Sequence, residues 1–422
     1  MTVYFFGISS INSGFGNGII ALGTVSRKQN SSLFWMNLVV GLFTWVVIFA
    51  FAPLICVMFN ANNLLGPLKI FTAIFLLVPW GQQFEYLLQK ELDFKIVSLV
   101  DISAVFLEVA TCILLATNGA GVYSFVYGKI AYFSLRSMVF FCIGLRNWRP
   151  KFYFSITDIR PFINFGLFQL GANYMFVLYS EMPKFIIAPL LGLEAMGTYE
   201  LATRITMQPL SKIAPVLKKV AFPVIASIQD NIAQVRKAYG AYILLLEVTV
   251  APVSMIIGVF AEPIVTLLFG EEWLHVVPLV RILSVAVFVR SLCQAAASLA
   301  LGMRRADLDF FQVSCAFVAA LVTIYPAAKN WGDMGVACAV LLNSAITLLT
   351  SYYLAVKPLV GSDPSIKTLN DYSSILLLII AVGCSFWFNG TIAMIFISGT
   401  SMVIYCCFRY KRILKLKKQI LR

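Results

Sequence analysis

The chain has 422 residues, of which 60% are hydrophobic and 12% charged, with a mean hydropathy of +0.88. Roughly a quarter of the residues of a soluble domain are charged, so this composition excludes a cytosolic enzyme, a secreted disulfide scaffold and a disordered chain. A net charge of +13 would suggest nucleic acid on a soluble protein. On a chain this apolar it points instead to basic loops on one side of a membrane, with no nucleic-acid partner.

The hydrophobic residues suffice for about 13 spans of about 20 residues each. In chain order the expected segments are 3–22, 33–59, 67–88, 94–117, 121–145, 161–189, 195–225, 238–260, 276–300, 308–328, 333–356, 373–388 and 391–408. Helices are expected throughout, because a barrel would show alternating segments of about ten residues. The first segment is crowded in its second half by Asn12, Ser13, Gly14, Gly16, Asn17 and Gly18. Its Gly14-Phe-Gly-Asn-Gly is not a phosphate loop, since no Gly-Lys-Ser/Thr follows.

Alternate loops concentrate the basic residues. Arg27 and Lys28 stand in the first. Lys90 and Lys95 flank the third, and Arg146, Arg149, Lys151 and Arg160 fill the fifth. Lys218, Lys219, Arg236 and Lys237 surround the seventh, Arg304 and Arg305 the ninth, and Lys357 and Lys367 the eleventh. With the C-terminal tail they account for 23 of the 32 basic residues, while the intervening loops hold only Lys329. This bias puts the basic loops and the C-terminus in the cytoplasm of a multi-pass inner-membrane protein. Thirteen spans then leave Met1 outside on a chain without a basic n-region or cleavage site. The expectation is that one N-terminal span is missing or lies upstream. The tail is expected to rest on anionic lipid head groups.

Several charges fall inside apolar segments, where each costs about 2.5–3.5 kcal/mol at mid-bilayer. Asp101 and Glu108 are seven apart on one helix, and Lys129 and Arg136 seven apart on the next. The helices run antiparallel through a short Asn-Gly-Ala-Gly turn, so depths can be compared. Glu108 and Lys129 lie nine and eight residues from the turn, Asp101 and Arg136 sixteen and fifteen. Glu108–Lys129 and Asp101–Arg136 pairs, or a shared polar wall, are predicted. Glu247 and Arg290 match in depth on later helices. Glu181 and Lys184 stand at spacing three, and Glu200 and Arg204 at the favourable spacing of four.

These charges have two readings. One is interhelical pairing that fixes packing. The other is a hydrophilic cavity between two lobes that holds a charged head group. On the second reading Arg204 and Arg290 contact phosphate or an acidic sugar, because a guanidinium matches phosphate bidentately. Arg136, Lys129, Lys184 and Glu181 complete the cavity. Asp101, Glu108 and Glu247 are then the carboxylates that titrate or bind a coupling ion, proton or sodium.

Other signals are weaker. Pro209, Pro215 and Pro223 either interrupt a cavity-lining helix or follow a helix that ends near residue 210. Asp307-Leu-Asp309 matches the DxD of glycosyltransferases, but it sits in a loop of about eight residues with no nucleotide-sugar domain and reads as a helix start. The nine cysteines mostly fall in apolar runs without ligand spacing, and His275 is the only histidine. No catalytic centre, metal or cofactor is expected.

Certain strings carry a family resemblance. Pro79-Trp-Gly-Gln-Gln-Phe84, Leu88-Gln-Lys-Glu-Leu-Asp-Phe94, Gly197-Thr-Tyr-Glu-Leu-Ala-Thr-Arg204 and Pro209-Leu-Ser-Lys-Ile-Ala-Pro215 are the first four. Phe222-Pro, Ile228-Gln-Asp230, Leu268-Phe-Gly-Glu-Glu-Trp273, Arg290-Ser-Leu and Arg305-Ala-Asp-Leu308 continue the series. Together they resemble polysaccharide-repeat flippases of the Wzx type, in the multidrug/oligosaccharidyl-lipid/polysaccharide exporter superfamily, and are similar to colanic-acid and teichuronic-acid exporters. Glu85, Pro189 and Glu200 depart from the residues usual at those places.

The resemblance implies an all-α polytopic membrane protein with fourteen helices, two six-helix lobes plus two more. This chain would begin at the second helix. The N-terminal lobe would be 1–157, the C-terminal lobe 158–358, and the extra helices with the basic tail 359–422. The implied activity is alternating-access movement of undecaprenyl-pyrophosphate-linked oligosaccharide across the inner membrane, without covalent chemistry. The implied partners are that lipid, membrane lipids, a proton or sodium ion, and the polysaccharide polymerase and chain-length machinery. The rivals are a cation-coupled multidrug exporter and an O-antigen-type polymerase. Against the polymerase, the longest outer loop, 261–275, has only about 15 residues and no Lys or Arg.

Overall fold

The computed structural model describes residues 15–22, 25–58 and 64–361. Among them the elements are α1 (Phe15–Ala21), α2 (Arg27–Met58), α3 (Leu65–Phe71), α4 (Ile74–Lys90), α5 (Phe94–Thr117), α6 (Val122–Asn147), α7 (Ile156–Ser227), α8 (Ile232–Val259), α9 (Ala261–Phe269), α10 (Val277–Gly302) and α11 (Ala306–Ser351). A 3-10 turn (Glu271–Val276), a π turn (Tyr352–Val356) and the short α12 (Lys357–Val360) complete them. The fold is all-helical and multi-pass. Eight helices are long and apolar enough to cross a membrane.

Two of the eight are hairpins. A straight helix of 72 residues, the length of α7, would measure about 108 Å at about 1.5 Å per residue, over three times the hydrocarbon thickness. The chain instead reverses at Gly192, which has φ 91° and ψ 173°. In α11 the reversal is Gly332, with φ 61° and ψ −147°. Only glycine adopts such backbone freely. Counting each hairpin twice, these spans account for all ten segments expected between residues 33 and 356. Segments 373–388 and 391–408, the basic tail and residues 3–14 lie outside the described residues.

Three local expectations change. The segment 67–88 breaks at Thr72, whose hydroxyl donates to the Lys69 carbonyl at 2.7 Å, while the next amide closes a tight turn onto Ile70. Of the two readings of Pro209, Pro215 and Pro223, the helix does not end near residue 210 but continues through all three to Ser227. The stretch 261–275 is not a plain loop. Pro263 pre-sets the first turn of α9, and Gly270, at φ 93°, ends it.

The described residues divide into two compact units, those up to residue 174 with 304–307, and residues 175–303 with 308–361. In the first, α4 is the central helix, packed against α2, α3's neighbour α6, and α1. Phe34, Phe84, Leu88, Val97, Val100 and Phe140 form one part of its core, and Ile74, Phe75, Val78 and Phe133 another. A Cβ at Gly81 would come within 2.5 Å of the Ser137 Cα, so glycine is what lets α4 and α6 touch. By contrast α5 exposes Ile102, Phe106 and Leu114, the pattern of a lipid-facing helix.

In the second unit α10 is buried along almost its whole length and on all sides, and apart from Arg281, Arg290 and Gln294 it is accordingly apolar or small. It packs against α8 through Val285, Phe288, Leu292, Ala296 and Leu299, beside Tyr239, Ile243 and Leu246. Its other face joins Tyr179, Ile187, Tyr199, Ala202, Ala328 and Val336 from both hairpins.

Candidate functional site

In a span the usual helix polarity inverts, since lipid cannot satisfy a hydrogen bond and polar groups must turn inward. Helix α4 does this with Gln82, Gln83, Glu85 and Gln89, all buried. Gln83 accepts from the Asn37 amide at 3.3 Å and donates to the Asn30 carbonyl at 3.0 Å.

Arg136 on α6 stands between two carboxylates. Its Nε donates to Asp101 Oδ1 at 2.8 Å, and its Nη2 to Glu85 Oε1. Glu85 also accepts from Gln89 Nε2 at 2.9 Å. The Phe140 ring lies 5.4 Å from the guanidinium. One positive charge therefore faces two negative ones inside a span. Farther along the same two helices, Lys129 Nζ meets Glu108 Oε1 at 2.7 Å. Both ion pairs predicted from helix depth are present. Glu85 joins them unexpectedly, although it is an acid within segment 67–88, which ends on the same side as the Arg136 helix.

Three ion pairs of the second unit lie on the Gly192 hairpin. Lys184 Nζ meets Glu181 Oε2 at 3.0 Å and Glu200 Oε2 at 2.9 Å, and Arg204 Nε meets Glu200 Oε1 at 3.1 Å. The pairs within each arm follow the expected spacing; the Lys184–Glu200 link between arms was not foreseen. Arg204 keeps most of its side chain exposed.

Arg290 sits midway along α10. Its Nη2 donates to Ser180 Oγ at 3.1 Å, and the rings of Tyr179 and Phe176 lie 4.8 and 5.9 Å from the guanidinium. Among the described residues it makes no ion pair. Glu247 is buried in α8. Ser180, Tyr179 and Phe176 were missed because neutral partners leave no charge pattern to read.

The remaining signals have structural accounts. Asp307, in the first turn of α11, accepts from the Arg305 guanidinium at 2.8 and 2.9 Å and holds that group above its already high ordinary pKa. His275 lies 3.3 Å from Thr198 Oγ1 and stacks on Trp273.

This geometry, apolar helices with charged side chains inside them in both units, defines a polytopic helical membrane protein. The family described as "Polysaccharide biosynthesis protein" matches residues 1–278, about two thirds of the chain, and the chain belongs to that family. It is 26% identical over 344 residues to the teichuronic acid biosynthesis protein TuaB of Bacillus subtilis, covering 82% of this chain and 71% of that one. It is 27% identical over 351 residues to the lipopolysaccharide biosynthesis protein WzxC of Escherichia coli, covering 83% and 71%. Among solved structures, the lipid II flippase MurJ in an inward closed conformation matches with a TM-score of 0.63 at 14% identity, covering 97% of this chain and 90% of that one. The MATE transporter VcmN of Vibrio cholerae in the bent form matches with a TM-score of 0.66 at 14% identity, covering 89% and 86%.

Proposed function

We propose that this protein is a flippase that moves lipid-linked polysaccharide repeat units across the bacterial inner membrane by alternating access. The observation that carries the reading is Arg290. A guanidinium at mid-span, held by a hydroxyl and two aromatic rings, is suited to an anionic ligand such as a pyrophosphate or acidic sugar. Family membership and the names of the relatives support the substrate class. The 23 basic residues of the alternate loops and the C-terminal tail support a cytoplasmic C-terminus. The protein would perform no covalent chemistry and would hand its cargo to a polymerase and chain-length machinery. Arg204, Arg136, Lys129, Lys184 and Glu181 are proposed to contact or frame the head group, and Asp101, Glu108 and Glu247 to respond to a proton or sodium ion.

A second reading, cation-coupled export of small molecules, draws support from the fold likeness to a MATE transporter. Deleting the gene and following lipid-linked sugars separates the two. Completed repeat units accumulating on the inner leaflet support the flippase. Unchanged lipid-linked sugars with altered drug sensitivity would favour the exporter, and unpolymerised units at the outer surface a polymerase.

A further inference from the structure

At the end of the first unit where α2 begins and α6 ends lies a cavity of about 300 Å³, lined by Arg27, Leu145, Arg146, Trp148, Arg149 and Lys151. Four of its six lining residues are cations, and none is an acid. None of the four forms an ion pair among the described residues. Like charges gathered around one small space repel unless an anion enters.

The cations stand on a fastened backbone. Lys151 and Arg149 belong to the non-helical linker between α6 and α7, which the first turns of α2 hold down. Trp35 Nε1 donates to the Lys151 carbonyl at 2.9 Å, the Lys151 amide to Ser31 Oγ at 3.2 Å, and the Ser155 amide to Ser32 Oγ at 3.1 Å. The linker backbone that carries two of the cations is thus fixed, so less ordering cost opposes binding.

Its height is also defined. Arg27 and Arg146 are terminal residues of two membrane spans, which sets the cavity at the border between hydrocarbon and water. Beside it Phe152 is 95% exposed and Phe154 53% exposed, Phe152 stacking on Trp35 at 4.9 Å. Exposed aromatic rings next to cations on a linker outside the spans are the signature of an interfacial anchor, rings among acyl chains and charges among head groups.

From these three observations we infer that the cavity is a binding site for the phosphate of an anionic lipid, separate from the charges at membrane depth. Arg27, Arg146, Arg149 and Lys151 bind the phosphate oxygens, and Phe152 and Phe154 border the acyl chains. Lipid-borne phosphate is the chemistry shared by two sources, a bilayer phospholipid and a polyprenyl diphosphate.

The test is native mass spectrometry of the full-length protein in detergent with added phosphatidylglycerol, undecaprenyl diphosphate or phosphatidylcholine. Retention of either anionic lipid over phosphatidylcholine by roughly tenfold or more is expected for several cations at one head group. The variant Arg146→Gln/Arg149→Gln/Lys151→Gln should lose most of that preference. Lys95→Gln/Arg160→Gln/Lys237→Gln, which removes the same charge elsewhere, should keep it. Preference for phosphatidylglycerol identifies the phospholipid as the source; preference for undecaprenyl diphosphate, displaced by inorganic pyrophosphate, identifies the carrier. Equal retention of all three lipids, or equal loss in both triple variants, overturns the proposal. Should the cavity variant not fold, Phe152→Ser/Phe154→Ser leaves every cation in place and should shorten lipid retention several-fold; unaltered retention overturns the proposal equally.

Discussion

Lys184 and Glu200 lie eight residues on either side of Gly192, and their side chains meet at 2.9 Å. On a straight helix sixteen residues would separate them by about 24 Å. The ion pair therefore clasps the two arms of the hairpin at equal depth. Both groups are partly exposed, so the link is of moderate strength. A double-mutant cycle with Lys184→Ala and Glu200→Ala should give a coupling of about 0.5–3 kcal/mol, measured by thermal unfolding in detergent. Additive effects would mean that the arms are held by packing alone.

The Arg136 cluster should be less forgiving. Arg136→Gln leaves Glu85 and Asp101 facing each other with no cation between them, and stability should fall by about 3–5 kcal/mol. Adding Glu85→Gln and Asp101→Asn to the same chain should recover most of the loss, since neutral groups carry no unpaired charge. Lys129→Gln, whose side chain is 40% exposed, should cost less than about 1 kcal/mol. Melting temperatures of the three variants check the order. An Arg136→Gln protein as stable as the parent would remove the cluster from the account of packing.

Gly192 and Gly197 form a contrasting pair five residues apart. Gly192 requires backbone that a Cβ resists, so Gly192→Ala should destabilise by about 1–3 kcal/mol. Gly197 is helical with open space around its Cα, so Gly197→Ala should be neutral or stabilising by about 0.4–1 kcal/mol. Equal melting temperatures for the two alanine variants would contradict the reversal at Gly192.

Arg290 offers the functional measurement. Arg290→Gln should cut export of lipid-linked repeat units at least about tenfold, the worth of one charge-assisted contact of about 1.5–3 kcal/mol, at unchanged membrane abundance. Arg290→Lys, which keeps the charge but not the planar fork, should recover only part. Full export by Arg290→Gln at normal abundance would end its proposed role in substrate contact.

What the sequence disclosed depended on which helices are neighbours in the chain. Asp101–Arg136 and Glu108–Lys129 were legible because α5 and α6 are joined by a turn so short that counting residues fixes relative depth. Glu85 escaped the same arithmetic because α4 meets α6 across an intervening helix, and no local pattern announces that contact. The Lys184–Glu200 link was within reach of it, since a reversal near residue 192 puts both at one depth. Ser180 beside Arg290 was not, because a serine in an apolar run has many fates. The stretch 261–275 read as a loop from its place between spans, yet its proline start and glycine stop make a helix. The basic cavity drew no notice for a different reason. Loop cations counted toward orientation say nothing of whether they converge on one space.

The turns at Gly192 and Gly332 take a single residue each to reverse a helix, which leaves the second unit without slack at those two places. One inserted residue would rotate part of the following arm by about 100°, carrying Glu200 away from Lys184 and presenting polar surface to lipid. Chain length there is as constrained as side-chain volume is in a core. Insertions, epitope tags and reporter fusions within this unit should be accepted at the connection between α7 and α8, residues 228–231, and refused at the two glycines.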